Sequence, residues 1–219
     1  MAAITIVLGN KNYSSWSLRP WLALRQTGAA FDEIVIPLYR DGSKEQILAH
    51  SPAGKVPVLK HGDLTVWESL AICEYLAEAF PAAKLWPADP AVRAVARSVA
   101  TEMHGGFQAL RQNLPMDVTR RHAGGERIAR AASDIERVMA IWRDCRKRFG
   151  EARANGQGSF LFGQFTIADA MYAPVVTRFR TYGVTLDAVC QAYADAVLAL
   201  PAMVEWEKAA AAEPWVIDF

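Results

Sequence analysis

The chain has 219 residues, 52% hydrophobic and 21% charged, and its 24 lysines and arginines against 23 aspartates and glutamates leave a formal net charge of +1. That balance is globular rather than disordered and fills one large domain or two small ones. It offers no overall field for nucleic acid or an anionic membrane, and no apolar run approaches the ~20 residues that span a bilayer.

Met1-Ala2-Ala3-Ile4-Thr5 lacks a charged lead-in, so a signal peptide is not expected. Ile4 to Leu8 is a β-branched run that reads as a buried strand. Gly9 to Trp16 is a polar connection, and Ser17 to Thr27 reads as a helix with Leu18, Trp21, Leu22 and Leu24 on its core face. Pro20 belongs in such a helix only at its first turn, and Gly28 ends it. Phe31 to Leu38 is the next strand, which makes a βαβ unit with parallel strands. A short helix follows over Lys44 to His50.

The most informative stretch runs from Ser51 to Glu78. Val56-Pro57-Val58-Leu59 is a short strand entered through a proline, His61-Gly62-Asp63 is hairpin-turn chemistry, and Leu64 to Trp67 returns. Glu68-Ser69 opens a helix carrying Leu70, Ile72, Cys73 and Leu76. A cis Val56-Pro57 bond would free the Val56 backbone for an extended ligand, and the helix start at Glu68-Ser69 suits a carboxylate. The same residues also suit a trans proline and an ordinary capped helix.

Ser-Pro-x-Gly-x-Val-Pro-x-Leu followed by Trp-Glu-Ser-x-Ala-Ile-x-Glu-Tyr-Leu, within residues 51–76, resembles the glutathione-binding half of the glutathione S-transferase family. The resemblance implies an α/β N-terminal thioredoxin-like domain (βαβαββα) over residues 1–80, a linker over 81–90, and an all-α helical domain over 91–219. It also implies that the valine backbone at Val56 pairs with the cysteinyl part of glutathione beside a cis Pro57, and that Glu68 and Ser69 hold its γ-glutamyl group. Lys55 matches a position that touches glutathione in related classes. His50 and Lys44 could reach the glycine carboxylate, although surface roles suit both.

Upstream, Asn12 to Arg19 places hydroxyls just ahead of a helix N-terminus, where a hydroxyl, backbone donors and the helix dipole together stabilise a thiolate. The hydroxyl need only donate a hydrogen bond. Ser14, Ser15 and Ser17 also suit cap and turn positions, Ser17 above all. Ser14 to Arg19 resembles the zeta-class Ser-Ser-Cys-Ser-Trp-Arg and tau-class Ser-Pro-Phe-Ser-x-Arg signatures, which register the catalytic serine on Ser14, with Ser15 second. Tyr13 is then a wall of the site. Trp16 stands where zeta enzymes carry cysteine, which argues against thiol–disulfide chemistry.

Phe80 to Pro90 holds three prolines in eleven residues and reads as the linker. Beyond it the sequence is helical: Ala91 to about Leu114, bent at Gly105-Gly106, and Glu126 to Phe149. Glu151 to Ser159 reads as a polar loop. Thr166 and Asp169 form a capping box at the head of a helix over Ala170 to Tyr182, kinked at Pro174. Two helices follow, over Leu186 to Leu200 and Pro201 to Ala212, before a tail at Trp215 to Phe219. Arg120-Arg121-His122 reads as a solvated basic loop. Cys73, Cys145 and Cys190 are too few and too scattered for a disulfide framework or a zinc site and fit the reducing cytoplasm.

The function this implies is a serine-type glutathione transferase with glutathione as co-substrate, no metal, and a small hydrophobic electrophile lying between the domains. Met103, His104, Phe107 and Arg111 are candidate walls of the electrophile pocket, together with Tyr13. A glutathione-dependent cis–trans isomerase of the zeta kind and a non-catalytic binding module are the alternatives. The family implies a cytoplasmic homodimer.

Overall fold

A computed structural model describes residues 3–150 and 158–218. Strand β1 (Ile4–Gly9) leads into helix α1 (Ser15–Gln26), then β2 (Asp32–Ile36), α2 (Ser43–Leu48), β3 (Val58–His61), β4 (Leu64–Trp67) and α3 (Ser69–Ala79). The sheet order is β2-β1-β3-β4, with β1 and β2 parallel and the other two pairings antiparallel. This is the expected βαβαββα arrangement. The β1 side chains alternate between faces: Ile4, Ile6 and Leu8 join the main core with α1 and α3, whereas Val7 joins Ile36, Ile47 and Val58 in a small second core under α2. Gly62, at φ 61°, supplies the left-handed residue of the tight β3–β4 turn.

After a short 3₁₀ turn at Pro81–Ala83 the described chain is helical apart from isolated bridges at residues 160–164: α4 (Pro90–Gly105), α5 (Gln108–Asn113), α6 (Gly125–Arg130), α7 (Ala132–Cys145), α8 (Ile167–Tyr182), α9 (Ala188–Leu198) and α10 (Pro201–Ala211). Helix α8 is the buried spine. It packs against α1, α4 and α9, and one hydrophobic core runs continuously from the sheet through to α10.

Three boundaries differ from the sequence expectation, each for a local reason. Helix α1 starts at Ser15 because the Ser14 side chain caps it, accepting from Ser17 N at 3.3 Å. Pro20 therefore lies past the first turn and cannot supply the N–H that the Trp16 carbonyl would otherwise receive. The long helix expected from Ala91 to Leu114 breaks between α4 and α5, where Phe107 adopts a left-handed φ of 62° while its ring stays in the core. The helix expected from Glu126 to Phe149 breaks at Ala131, and its end, Arg146–Gly150, winds as a π turn. Pro174 sits within α8, as expected. Most of the loop expected at Glu151 to Ser159 lies outside the described residues, as do Met1, Ala2 and Phe219.

At the head of α8 the Asp169 carboxylate accepts from Thr166 N at 2.8 Å, Thr166 Oγ1 at 3.0 Å and Leu161 N at 3.1 Å. Thr166 thus donates to the acid that caps it. Arg121 is exposed as expected, while Arg120 and His122, each about a third exposed, both hydrogen-bond the buried Asp117, at 2.6 and 2.9 Å. Burial alone would raise the Asp117 carboxyl, but bonds from His122, Arg120 and Asn12 hold it below its ordinary value. Among the described residues no single helix is long and apolar enough to cross a membrane, although the bent pair α9–α10 passes that test by length and composition.

Candidate functional site

Three adjoining cavities meet around Trp16. The first, about 230 Å³, is lined by Lys55, Val56, Pro57, Trp67, Glu68 and Ser69, with Trp16 closing one side. The Val56-Pro57 bond is cis. Pairing of β3 with its neighbours starts at Val58, so Val56, which lines the cavity, stands ahead of the ladder. Glu68 has φ 69° and ψ 123°, a conformation uncommon for a residue with a side chain, and it turns the chain sharply from β4 into α3. The turn brings Ser69, at the first position of α3, into the cavity. Its hydroxyl is buried and has no hydrogen-bond partner in the protein. A buried hydroxyl beside the free N–H groups of a helix start is a ready acceptor site for a carboxylate.

The second cavity, about 400 Å³, continues past Lys55 and Val56 to Lys44, Arg40 and Ser14. His50 lies elsewhere, with Nδ1 3.1 Å from Lys60 Nζ. The third cavity, about 240 Å³, holds Tyr13, Ser14, Ser15, Arg111 and Arg178, with Leu38, Pro115, Met116 and Ile217 among its apolar residues.

Both candidate serines are buried at the α1 N-terminus and face these cavities. The Ser14 and Ser17 hydroxyls are 2.8 Å apart, and Ser17 Oγ accepts from Gly9 N at 2.9 Å. Ser17, expected as the cap, instead ties the helix to β1 and supports Ser14. Ser15 Oγ accepts from Arg178 Nη2 at 3.1 Å, which leaves its proton free to donate. Tyr13 points its hydroxyl at Arg120 Nη2, 3.4 Å away, and serves as a wall.

Of the other expected pocket residues, Arg111 lines the third cavity and His104 meets the Trp16 ring edge-on at 5.4 Å between centroids. Burial, then the charge of Arg19, lowers the His104 pKa. Met103, on α4, and Phe107, just beyond it, are placed elsewhere: both are buried in the main core and line none of the three cavities. Arg178 was missed by the sequence reading. Its signal was present, since an arginine in a helix read as the buried core must have a partner or a task. The three cysteines are buried and free, and burial pushes the thiols of Cys145 and Cys190 up to about 12.

Two family models match the chain. One described as "Glutathione S-transferase, N-terminal domain" matches residues 13–79, and one described as "Glutathione S-transferase, C-terminal domain" matches residues 125–210. A maleylacetoacetate isomerase of Rattus norvegicus is 39% identical over 103 residues, 46% of either chain, so the match spans about half of that relative's length. A maleylacetoacetate isomerase of Rhizobium meliloti is 38% identical over 189 residues, covering 80% of this chain and 82% of its own. The theta-class glutathione S-transferase of Xanthomonas axonopodis pv. citri, solved with glutathione bound, superposes with a TM-score of 0.69 at 26% identity, over 94% of this chain and 97% of its own. The chain belongs to the glutathione S-transferase family.

Proposed function

We propose that this protein binds glutathione in the cavity between Val56 and Ser69 and uses its thiolate on an electrophile held in the cavity beside Arg111 and Arg178. The observation that carries this reading is the convergence of Lys55, the cis Val56-Pro57 unit, Glu68 and the unpartnered Ser69 hydroxyl on one cavity that opens toward Ser14. The γ-glutamyl carboxylate takes the α3 N-terminus and the Ser69 hydroxyl, and Glu68 receives the ammonium group. The Val56 main chain pairs with the cysteinyl unit. Residues 1–80 then supply the glutathione site, and the electrophile's walls come from both halves, with Arg111, Pro115, Met116, Arg178 and Ile217 from the second.

The thiol falls at the α1 N-terminus. There the Ser14 hydroxyl, whose proton goes to Ser17 Oγ in the structure, turns to donate to the thiolate, and Ser15 stands next to it. An unperturbed thiol has a pKa of about 8.5, and each unit of depression is worth ~1.4 kcal/mol. The protein supplies an activated nucleophile and its position. The assembly that fits the reading is a cytoplasmic homodimer.

The relatives called maleylacetoacetate isomerase favour a second reading of the same site: the thiolate adds to a conjugated double bond, the adduct rotates, and the thiolate leaves again. A glutathione balance separates the two. Conjugation consumes one glutathione per turnover, whereas isomerisation of a cis-enone runs to completion on catalytic glutathione. If neither process is accelerated while glutathione binds, the chain is a binding module.

A further inference from the structure

The turn that delivers Ser14 to the site is held from the far end of the chain. Asn10 O accepts from Tyr13 N at 3.2 Å and from Ser14 N at 2.8 Å, so residues 10–14 wind a single turn that Ser14 leaves as the cap of α1. The N–H groups of Lys11 and Asn12 stand at the start of that turn, where no earlier carbonyl of the turn can receive them. Glu213, just past α10, receives both: Lys11 N donates to Oε1 at 2.6 Å and Asn12 N to Oε2 at 3.2 Å. Other bonds from the second half fix the same turn. Trp206 Nε1 donates to Lys11 O at 2.8 Å, Asn12 Nδ2 to Asp117 Oδ1 at 3.0 Å, and Thr119 N to Asn12 Oδ1 at 3.0 Å. From the first half, Leu38 N donates to Asn10 Oδ1 at 2.7 Å.

Docking α10 does not require this carboxylate. The helix already packs on α1, with the Trp206 and Trp21 ring centroids 4.9 Å apart. The Lys11 ammonium pairs with Glu33 at 2.5 Å and reaches Glu213 only through its field. Burial raises the Glu213 carboxyl above its ordinary value, against the pull of the bonds from Lys11 and Asn12, so holding a charge there costs stability. What the carboxylate holds is the main chain two residues ahead of Ser14. It is itself fixed on both sides: α10 precedes it, and beyond it Ile217 O accepts from Arg120 Nη2 at 2.8 Å. Glu213 is thus a preorganised acceptor for the turn. Ser14, at the end of that turn, lines the second and third cavities. A hydroxyl stabilises a thiolate only from hydrogen-bond distance and in line, so a small displacement of the turn weakens it.

We infer that Glu213 is a positioning residue for thiolate activation: by holding the N–H groups of Lys11 and Asn12 it sets where the Ser14 hydroxyl meets the glutathione sulfur. This rests on the transferase reading and adds to it a residue that lines none of the three cavities. Removing the carboxylate leaves Val56, Glu68 and Ser69 in place and lets the turn at residues 10–14 relax. Binding of glutathione and activation of its thiol therefore come apart. A glutamine at this position has one acceptor oxygen for two N–H groups, so it keeps one of the two bonds.

Two titrations of the full-length protein test it, on wild type, Glu213→Ala and Glu213→Gln. S-methylglutathione, which has no thiol, is titrated calorimetrically and reports binding alone. Ultraviolet difference titration of bound glutathione reports the thiol pKa. In Glu213→Ala that pKa is expected to rise above the wild-type value by roughly half a pH unit or more, about a threefold loss of thiolate at lower pH, while the affinity for S-methylglutathione stays within about twofold. Glu213→Gln is expected to lie between wild type and Glu213→Ala, and it gives the reading should Glu213→Ala not fold. A folded Glu213→Ala whose bound thiol titrates as in wild type overturns the inference and leaves the transferase reading standing. So does a parallel loss of S-methylglutathione affinity, which would make Glu213 a general support of the fold. A wild-type thiol that titrates as in free glutathione defeats the transferase reading, and the inference with it.

Discussion

Ser69 is the residue whose environment speaks most directly of a ligand. A buried hydroxyl without a partner costs the folded protein roughly 1–3 kcal/mol of desolvation. Replacing it by alanine removes that cost, so Ser69→Ala is expected to leave the thermal midpoint unchanged or raised. The same change takes a donor from the proposed γ-glutamyl site and is expected to weaken glutathione binding by about ten- to a hundredfold, since a hydrogen bond to a charged group is worth about 1.5–3 kcal/mol. Calorimetric titration alongside a melting curve checks both. A fall in stability with unchanged affinity would make Ser69 an ordinary structural residue. Ser69, Glu68, Val56 and Pro57 were legible in the sequence because they sit within one local strand–turn–helix unit. Arg178 was not, because it is 163 residues from the Ser15 it bonds, and a single sequence carries no mark of which distant helix face meets another.

At the scale of elements, two helix ends carry expectations. Asp169 caps α8, and burial pushes its carboxyl up to about 6 against the pull of its bonds from Leu161 and Thr166. The folded state therefore holds its proton more tightly than the unfolded state, where an aspartate titrates near 3.9. The resulting stabilisation is full below about pH 4 and is lost as pH rises to about 6. Asp169→Asn has no such titration, so the stability of wild type relative to this variant is expected to decline across that window, by on the order of 1–3 kcal/mol. Denaturant midpoints at pH 4 and 7 measure it, and a difference that does not change with pH contradicts it.

The break between α4 and α5 carries the second. A Cβ built on Gly106 would lie 2.8 Å from Glu102 O, so Gly106→Ala must displace backbone and is expected to cost about 1–3 kcal/mol. It is also expected to loosen Arg111, which donates to Gly106 O at 2.9 Å. Glycine spacing revealed a bend here, but not a full break, because the left-handed Phe107 is set by the core that takes its ring rather than by local propensity. Pro20 misled in the opposite direction. The proline rule is sound, yet α1 begins two residues earlier than expected because the Ser14 cap and the Ser17–Gly9 bond fix its start from outside the helix.

For the whole molecule, the sheet order and the succession of helices follow from local patterns: a buried strand, a βαβ crossover, a hairpin, then amphipathic helices around the buried α8. What the sequence hides is the meeting of the two halves. Arg19 on α1 reaches Met171 O on α8, Trp206 on α10 donates to Lys11 O, and Arg120 reaches Ile217 O in the tail. Each joins residues more than 90 positions apart. The site is thus a product of that packing, with the cavity of Val56, Pro57, Glu68 and Ser69 in the first half and Arg19, Arg111 and Arg178 on α1, α5 and α8 beside it. The most direct test of the central claim is an ultraviolet difference titration of bound glutathione against pH, with Ser14→Ala and Ser15→Ala beside the wild type. A thiol pKa depressed by at least one unit, about 1.4 kcal/mol, and returning toward the free value in Ser14→Ala is the expected result. Glutathione bound with an unshifted thiol, or a depression untouched by either substitution, would contradict it.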